Sequence, residues 1–461
     1  MIGISALNEL AAILCRVTGS MSVKARPKED WVLTNISLLM KAIFVVAVLA
    51  VTNGHTNELD LKVLIEEALA RNPSLSALKH RWSAFEARIP QAGALNDPRV
   101  RFDLMNFPTN SFDFDSTPMS GKLIMLSQQF PFPGTLAAKE AVAKHASSTA
   151  EALYEDREGV IVNLVKQAYF TIAFLDRAIS ITRKNKALLK DLIRIAQTKY
   201  AVGRGLQLDV LKAQVSLSSL KDRLIQLRTM RSTTEARLNL ALNRRMQSPV
   251  GIPGRVSITQ FEFTLEEIQA MVLASRPLLR GLNETVLQWS AAERLARRRI
   301  WPSFTFSLAY RQRAGVAVDP VKGSDFLSFG VGMNLPLYRG RKQHQQVTEA
   351  RSKILMAQSQ EEEARQQILY KTRIAFLEVQ KHLEEATLFK TAILPQAEQS
   401  LESAIAGYQV NKVDFLTLLN NQVTLFNFEI DYYRHVTGHE SKLAELEAMV
   451  GRPLFRAERS W

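Results

Sequence analysis

His435 and His439 stand four residues apart in a segment with helical apolar spacing, so both imidazoles fall on one helix face. Two nitrogen ligands at that spacing can share a metal ion. A lone pair without a third ligand is more often an ordinary feature of a helix, so neither a metal site nor a cofactor is assigned. The remaining polar residues form no nucleophile–base constellation, no phosphate-binding glycine loop and no Cys/His cluster. The chain does not read as an enzyme. Two aspartates suggest chemistry of another kind. In an oligomer, Asp209 and Asp414 would form a carboxylate ring that favours cations or latches a passage through salt bridges. The competing reading is a pair of aspartates held at helix N-termini by the helix dipole.

Both aspartates belong to a repeated element. Tyr200 to Gln214 reads YAVGRGLQLDVLKAQ, and Tyr408 to Gln422 reads YQVNKVDFLTLLNNQ, a constant offset of 208 (408 − 200 and 422 − 214). Gly203 is matched by Asn411, and these are the two residue types that most readily take the left-handed conformation ending a helix. Each copy therefore reads as a helix end, a tight turn and a returning helix. The run before the first turn carries no strong breaker from Ala137 to Gly203, on the order of 100 Å of helix. Ile161, Leu164, Ala168, Leu175 and Ala178 fall on heptad spacing there, with Thr171 in the gap, and Val210, Ala213, Leu217, Leu220, Leu224 and Leu227 continue it after the turn. Helices of that length must pack side by side as a coiled coil. A second long helix runs to Val410, with a kink expected at Pro395.

The segments before the hairpins repeat as well. Leu265 to Pro277 matches Leu61 to Pro73, and Pro302 matches Pro98, each 204 residues on (265 − 61, 277 − 73 and 302 − 98). Leu61 to Gly93 reads as helix interrupted at Pro73. Strands are expected at Val100 to Leu104, Lys122 to Phe130, Ser303 to Tyr310 and Leu327 to Leu335. The third is the clearest, with Phe304, Phe306, Leu308 and Tyr310 on one face and Ser303, Thr305, Ser307 and Ala309 on the other. An apolar face backed by Ser, Thr, Gly and Asn suits a barrel wall with lipid outside and water inside. Four strands cannot close a barrel, and open edges are excluded from lipid, so several chains must share one.

Composition sets the outer limits. The 461 residues are 46% hydrophobic and 23% charged, with a mean hydropathy of −0.07, too polar for a bundle of membrane helices. The net charge of +14 is dispersed among helical carboxylates, as in QEEEARQQ at Gln360 to Gln367, so no nucleic-acid partner is expected. Lys41 precedes an apolar run from Ala42 to Val51, with small residues at Ala50 and Gly54. That is the shape of a secretory signal, cleaved after either small residue, with Met40 as the expected true start. The only cysteine is Cys15, inside this leader, so no disulfide and no lipid-anchoring cysteine is expected after processing. The expected organisation is a leader at 1–54, a first repeat at 55–252 and a second at 253–461. Each repeat holds a helix, two strands and a long helical hairpin.

LNDPRVRFDL (Leu95 to Leu104), SQQFPFPG (Ser127 to Gly134), the two turn stretches and the second-half copies, among them LPLYRG (Leu335 to Gly340), together resemble the TolC family of outer-membrane efflux proteins. The resemblance covers nearly all of the chain after about Asn57 and rests on order and spacing. It implies an α+β membrane protein, a homotrimer whose three chains give a twelve-stranded outer-membrane barrel continued by a coiled-coil tunnel across the periplasm. It implies a passive conduit in a tripartite system, partnered by a periplasmic adaptor and an inner-membrane RND-type pump. With DP ahead of its first strand and FPFPG closing its second strand, the chain most resembles the heavy-metal branch, which implies export of metal cations, with drugs as the other cargo. The alternatives are a conduit for type I protein secretion or a soluble periplasmic coiled-coil scaffold. The family closes its tunnel and receives its adaptor at the turns. This carries to Tyr200, Val202, Gly203, Leu206 and Asp209, and to Tyr408, Val410, Asn411 and Asp414. Asn411 departs from the glycine usual in the second turn, and the absent N-terminal cysteine departs from many members of the heavy-metal branch.

Overall fold

The structure, a computed structural model, describes residues 58–451 and Leu454, apart from 107, 112, 115, 116 and 318. The expected signal segment, with Met40 and Cys15, lies outside the described residues. In chain order the main elements are α1 (Leu61–Arg71), α2 (Pro73–Glu86), α3 (Arg88–Gly93), β1 (Arg99–Met105), β2 (Gly121–Phe130), α4 (Thr135–Ala201) and α5 (Gln207–Ala241). The plan then returns as α6 (Leu265–Ser275), α7 (Pro277–Arg298), β3 (Phe304–Gln312), β4 (Phe326–Met333), α8 (Gln343–Leu388), α9 (Leu394–Gln409) and α10 (Phe415–Val450).

Equivalent local chemistry starts the helices in both halves. Asp60 caps α1 by accepting from the Lys62 N–H at 2.8 Å. Thr264, 204 residues on (264 − 60), caps α6 in a capping box with Glu267. Pro73 and Pro277 each occupy the first position of the following helix, where a missing N–H costs nothing.

The four longer strands form one antiparallel sheet in the order β1-β2-β3-β4. The register places Phe102, Ile124, Tyr310 and Leu327 in one cross-strand row, and Val100, Leu126, Leu308 and Phe329 in the next row on the same face. Between them, on the opposite face, lies the row Arg101, Met125, Ala309 and Ser328. Side chains alternate between faces, so this register decides which residues share an environment. β1 and β4 are the edges of the sheet.

Helix α4 has 67 residues, about 100 Å of helix. By length and hydropathy alone it could cross a bilayer. Part of its apolar surface is taken up by packing: Ile161, Val165, Ala168, Ile172 and Leu175 are buried within the chain. This corrects the heptad at two points: Val165 is buried where the expected Leu164 is only half-buried. Thr171 is exposed and Ile172 takes the buried place, because the seam leaves Ile161 by a four-residue step and the larger apolar side chain wins burial. Near the turns, Leu192, Ile193 and Ala196 of α4 pack with Leu401, Ala404 and Tyr408 of α9 and with Phe415, Leu418 and Leu419 of α10. The long second-half helix departs from α geometry just before Pro395, in a π turn over Phe389–Ile393. Pro395 cannot donate an N–H, and its ring presses on the carbonyl one turn earlier, at Thr391. A widened turn there relieves the conflict.

Candidate functional site

Both hairpin turns close by the same hydrogen bonds. After α4, the Gly203 N–H donates to the Tyr200 carbonyl at 3.0 Å and the Arg204 N–H to the Lys199 carbonyl at 2.8 Å. After α9, the Asn411 N–H donates to the Tyr408 carbonyl at 3.3 Å and the Lys412 N–H to the Gly407 carbonyl at 2.8 Å. These paired hydrogen bonds make a Schellman cap, which requires a left-handed residue at its centre. Gly203 has φ +73° and Asn411 φ +59°, as the residue types lead one to expect.

The side chains of the two turns are treated differently. Tyr200 is 49% exposed and Tyr408 only 6%. Tyr408 packs edge-on to Phe415 with ring centroids 5.5 Å apart. Burial, with the nearby Asp209 carboxylate second, pushes its phenol up. Lys199 joins the two turns: its ammonium donates to the Tyr408 carbonyl and, at 2.7 Å, to Asn411 Oδ1, and it lies 4.1 Å from the Tyr408 ring centroid. Val202, Leu206, Leu208, Leu211 and Val215 are all exposed on the first turn and the helix leaving it. Val410 is exposed on the second.

The two aspartates do not hold equivalent positions. Asp414 is the N-cap of α10, accepting from the Thr417 N–H at 2.7 Å and the Thr417 hydroxyl at 3.0 Å. These bonds hold its carboxyl below the usual aspartate range. The corresponding cap of α5 is Leu206, which has no side-chain acceptor. Asp209 lies in the first turn of α5, where a negative charge suits the helix dipole.

The second candidate surface is the sheet. Phe306, Leu308 and Tyr310 are exposed, and Phe304 is partly so. The register adds Val100, Phe102, Ile124, Leu126, Leu327, Phe329, Val331 and Met333 to the same face, all exposed. An apolar face spread across four strands is far beyond the scattered exposed leucines of an ordinary surface. The other face carries Arg99, Arg101, Ser127, Gln129, Thr305, Ser307, Gly330 and Gly332. Gly330 makes room for Ser307, whose Oγ would lie 2.5 Å from an added Cβ. One apolar and one polar face is what a strand needs between lipid and water.

Residues 64–244 and 270–452 match the family described as "Outer membrane efflux protein", one segment in each repeat. The chain belongs to this family. It is thus an outer-membrane efflux channel with a periplasmic extension, and its family is one of conduits rather than enzymes. The outer membrane efflux protein BepC of Brucella suis is 22% identical over 338 residues, 71% of either chain. The cobalt-zinc-cadmium resistance protein CzcC of Cupriavidus metallidurans is 21% identical over 383 residues, 81% of this chain and 85% of the relative. Among solved structures, the Campylobacter jejuni CmeC outer membrane channel superposes with a TM-score of 0.72 at 15% identity, covering 87% of each chain.

The sequence pairing of His435 with His439 is not what the channel's structure brings together. His439 is fully buried, its Nδ1 3.0 Å from Glu440 Oε1. His435 instead meets His382 and Glu385 of α8. His382 and Glu385 are three residues apart on one helix face, a signal present in the sequence. Their partner 53 residues away depends on the register of α8 against α10, which no local spacing reveals.

Proposed function

We propose that three copies of the channel share one barrel and one tunnel, and that it exports metal cations delivered by a periplasmic adaptor and an inner-membrane RND-type pump. The carrying observation is the sheet: an exposed apolar face, a polar face, and two edge strands with unpaired backbone groups. Such edges are not tolerated in lipid, and four strands are too few to close. Lipid would cover Phe304, Phe306, Leu308 and Tyr310. The exposed row Leu208, Leu211, Val215 and Ile225 on α5 is suited to a neighbouring copy in the tunnel and, near the turn, to an adaptor hairpin. The metal cargo is supported by the DP and FPFPG motifs and by the likeness to CzcC, a cobalt-zinc-cadmium resistance protein.

Phe306→Asp and Thr305→Asp test the barrel, since the two residues are adjacent and lie on opposite faces. A charge on the lipid face costs about 2–4 kcal/mol at mid-membrane, less for an acid than a base. Phe306→Asp should abolish the heat-stable trimer in outer-membrane fractions, and Thr305→Asp should leave it. Equal sensitivity would refute the assigned faces. The cargo is tested by deleting the gene and comparing growth in cobalt, zinc and cadmium salts with growth in hydrophobic antibiotics.

A further inference from the structure

Away from the turns and the sheet, α8 and α10 carry a compact set of metal-ligand side chains. His382 Nδ1 and His435 Nδ1 are 3.1 Å apart. Glu385 Oε2 is 2.8 Å from His435 Nδ1 and 3.9 Å from His382 Nδ1. Ligand atoms around a tetrahedral ion with bonds of about 2.0–2.1 Å stand roughly 3.3 Å apart. The observed triangle brackets that spacing, so side-chain rotations alone would complete it.

The polar atoms of this triangle satisfy one another only in part. Two neutral imidazoles facing through Nδ1 can share only one N–H between them. Glu385 Oε2 is shielded from solvent and has no hydrogen-bond partner, although His435 Nδ1 is close. With both ring protons on Nε2, three electron-pair donors converge on one point, which a cation would neutralise.

The surroundings also fit. Glu378 Oε2, which accepts from Lys381 Nζ at 2.7 Å, lies 3.7 Å from His382 Nε2, too far for a hydrogen bond but on the side where a ligating imidazole presents its outward N–H. Gly438 leaves room for the ring, since a Cβ there would come within 2.9 Å of His382. Phe389, the first residue of the π turn, lies against His435 with ring centroids 5.4 Å apart. π turns in α-helices are frequent at functional sites.

We infer that His382, Glu385 and His435 form a resident binding site for one divalent transition-metal ion per chain, which ties α8 to α10 beside the π turn. Two imidazoles and a carboxylate suit zinc-like ions over magnesium or calcium. Three protein ligands leave a fourth position for water. The site stands whatever the channel exports, because it rests on the ligand geometry of a single chain.

The test is titration of chelator-washed, tag-free full-length protein with CoCl2, followed by visible absorption and metal analysis. The expected result is one Co2+ per chain in a four-coordinate spectrum, displaced by Zn2+. Glu385→Gln, nearly isosteric, and His435→Ala should remove the spectrum. Gly438→Ala should weaken binding about ten- to hundredfold by displacing the His382 ring. His344→Ala, exposed at the start of α8, should change nothing. Absence of Co2+ binding in the parent, or equal stoichiometry in Glu385→Gln, overturns the inference. Unchanged tolerance of metal salts on deleting the gene, with Co2+ binding intact in the purified protein, would count against the proposed cargo and leave this site in place.

Discussion

The two hairpin turns share a backbone and differ in their side chains. Both end a helix in a Schellman cap around a left-handed residue. The second turn is anchored: Tyr408 and Phe415 are buried, Asp414 caps the returning helix, and Lys199 reaches across to hold Asn411. The first turn is bare: Tyr200, Val202 and Leu206 are exposed, and its returning helix has no side-chain cap. A duplicated element has kept its fold while its copies have separated into a buried, capped turn and an exposed, uncapped one. Exposed apolar side chains at a turn with no packing role are the ones available to a partner.

The largest expected difference between the turns lies in their buried aromatics. Phe415→Ala should destabilise the α9–α10 hairpin by about 3–5 kcal/mol, read as faster hydrogen exchange around Tyr408 and Leu418. The same truncation at Tyr200 should barely move exchange, since little is buried there. Equal losses would erase the comparison.

Gly203→Val comes next. An added Cβ at Gly203 would meet nothing within 4 Å, so its cost is the left-handed backbone alone, about 1–2 kcal/mol. That is small beside the long helices, and the trimer should persist in the membrane while efflux falls. Loss of the trimer would assign the turn a folding role instead.

Leu206→Asp sharpens the comparison in the opposite direction. It gives α5 the cap that Asp414 gives α10, a gain of about 1 kcal/mol. It also removes an exposed apolar side chain. The variant should be at least as stable as the parent and poorer in efflux. Unchanged efflux would show that Leu206 offers nothing to a partner.

The smallest effect is a pH dependence confined to one turn. The folded-state pKa of Asp414 is depressed, so its contribution is present above the unfolded value near 3.8 and is lost as pH falls through the folded one. Exchange at the start of α10 should therefore accelerate in acid below that range, relative to exchange at the start of α5, which has no cap to lose. Parallel acid responses at both helices would contradict the assignment of Asp414 as the cap.

Much of this architecture is legible in the sequence. Turns at Gly203 and Asn411 follow from residue type, three of the strands from alternation and the one at Lys122 to Phe130 from its context, and the repeat from constant offsets. What is illegible there depends on register between distant elements. The exchange of Thr171 for Ile172 depends on which face α4 turns to its neighbours. The burial of Tyr408 beside an exposed Tyr200 is invisible in two stretches that align tyrosine with tyrosine. The meeting of His382 and Glu385 with His435 needs α8 and α10 side by side. The displacement of the irregular turn from Pro395 to Phe389–Ile393 is readable in principle, because a proline strains the turn that precedes it.

We propose that the bare first turn is where the channel meets a periplasmic adaptor. A photo-crosslinking residue at Leu206, in cells co-expressing the channel with a candidate adaptor and pump, tests this contact, with another placed at the buried Tyr408 as the contrast. An adaptor crosslink is expected from Leu206 and none from Tyr408. Crosslinks from Leu206 only to neighbouring copies of the channel would contradict it and make the first turn part of the trimer's own closure.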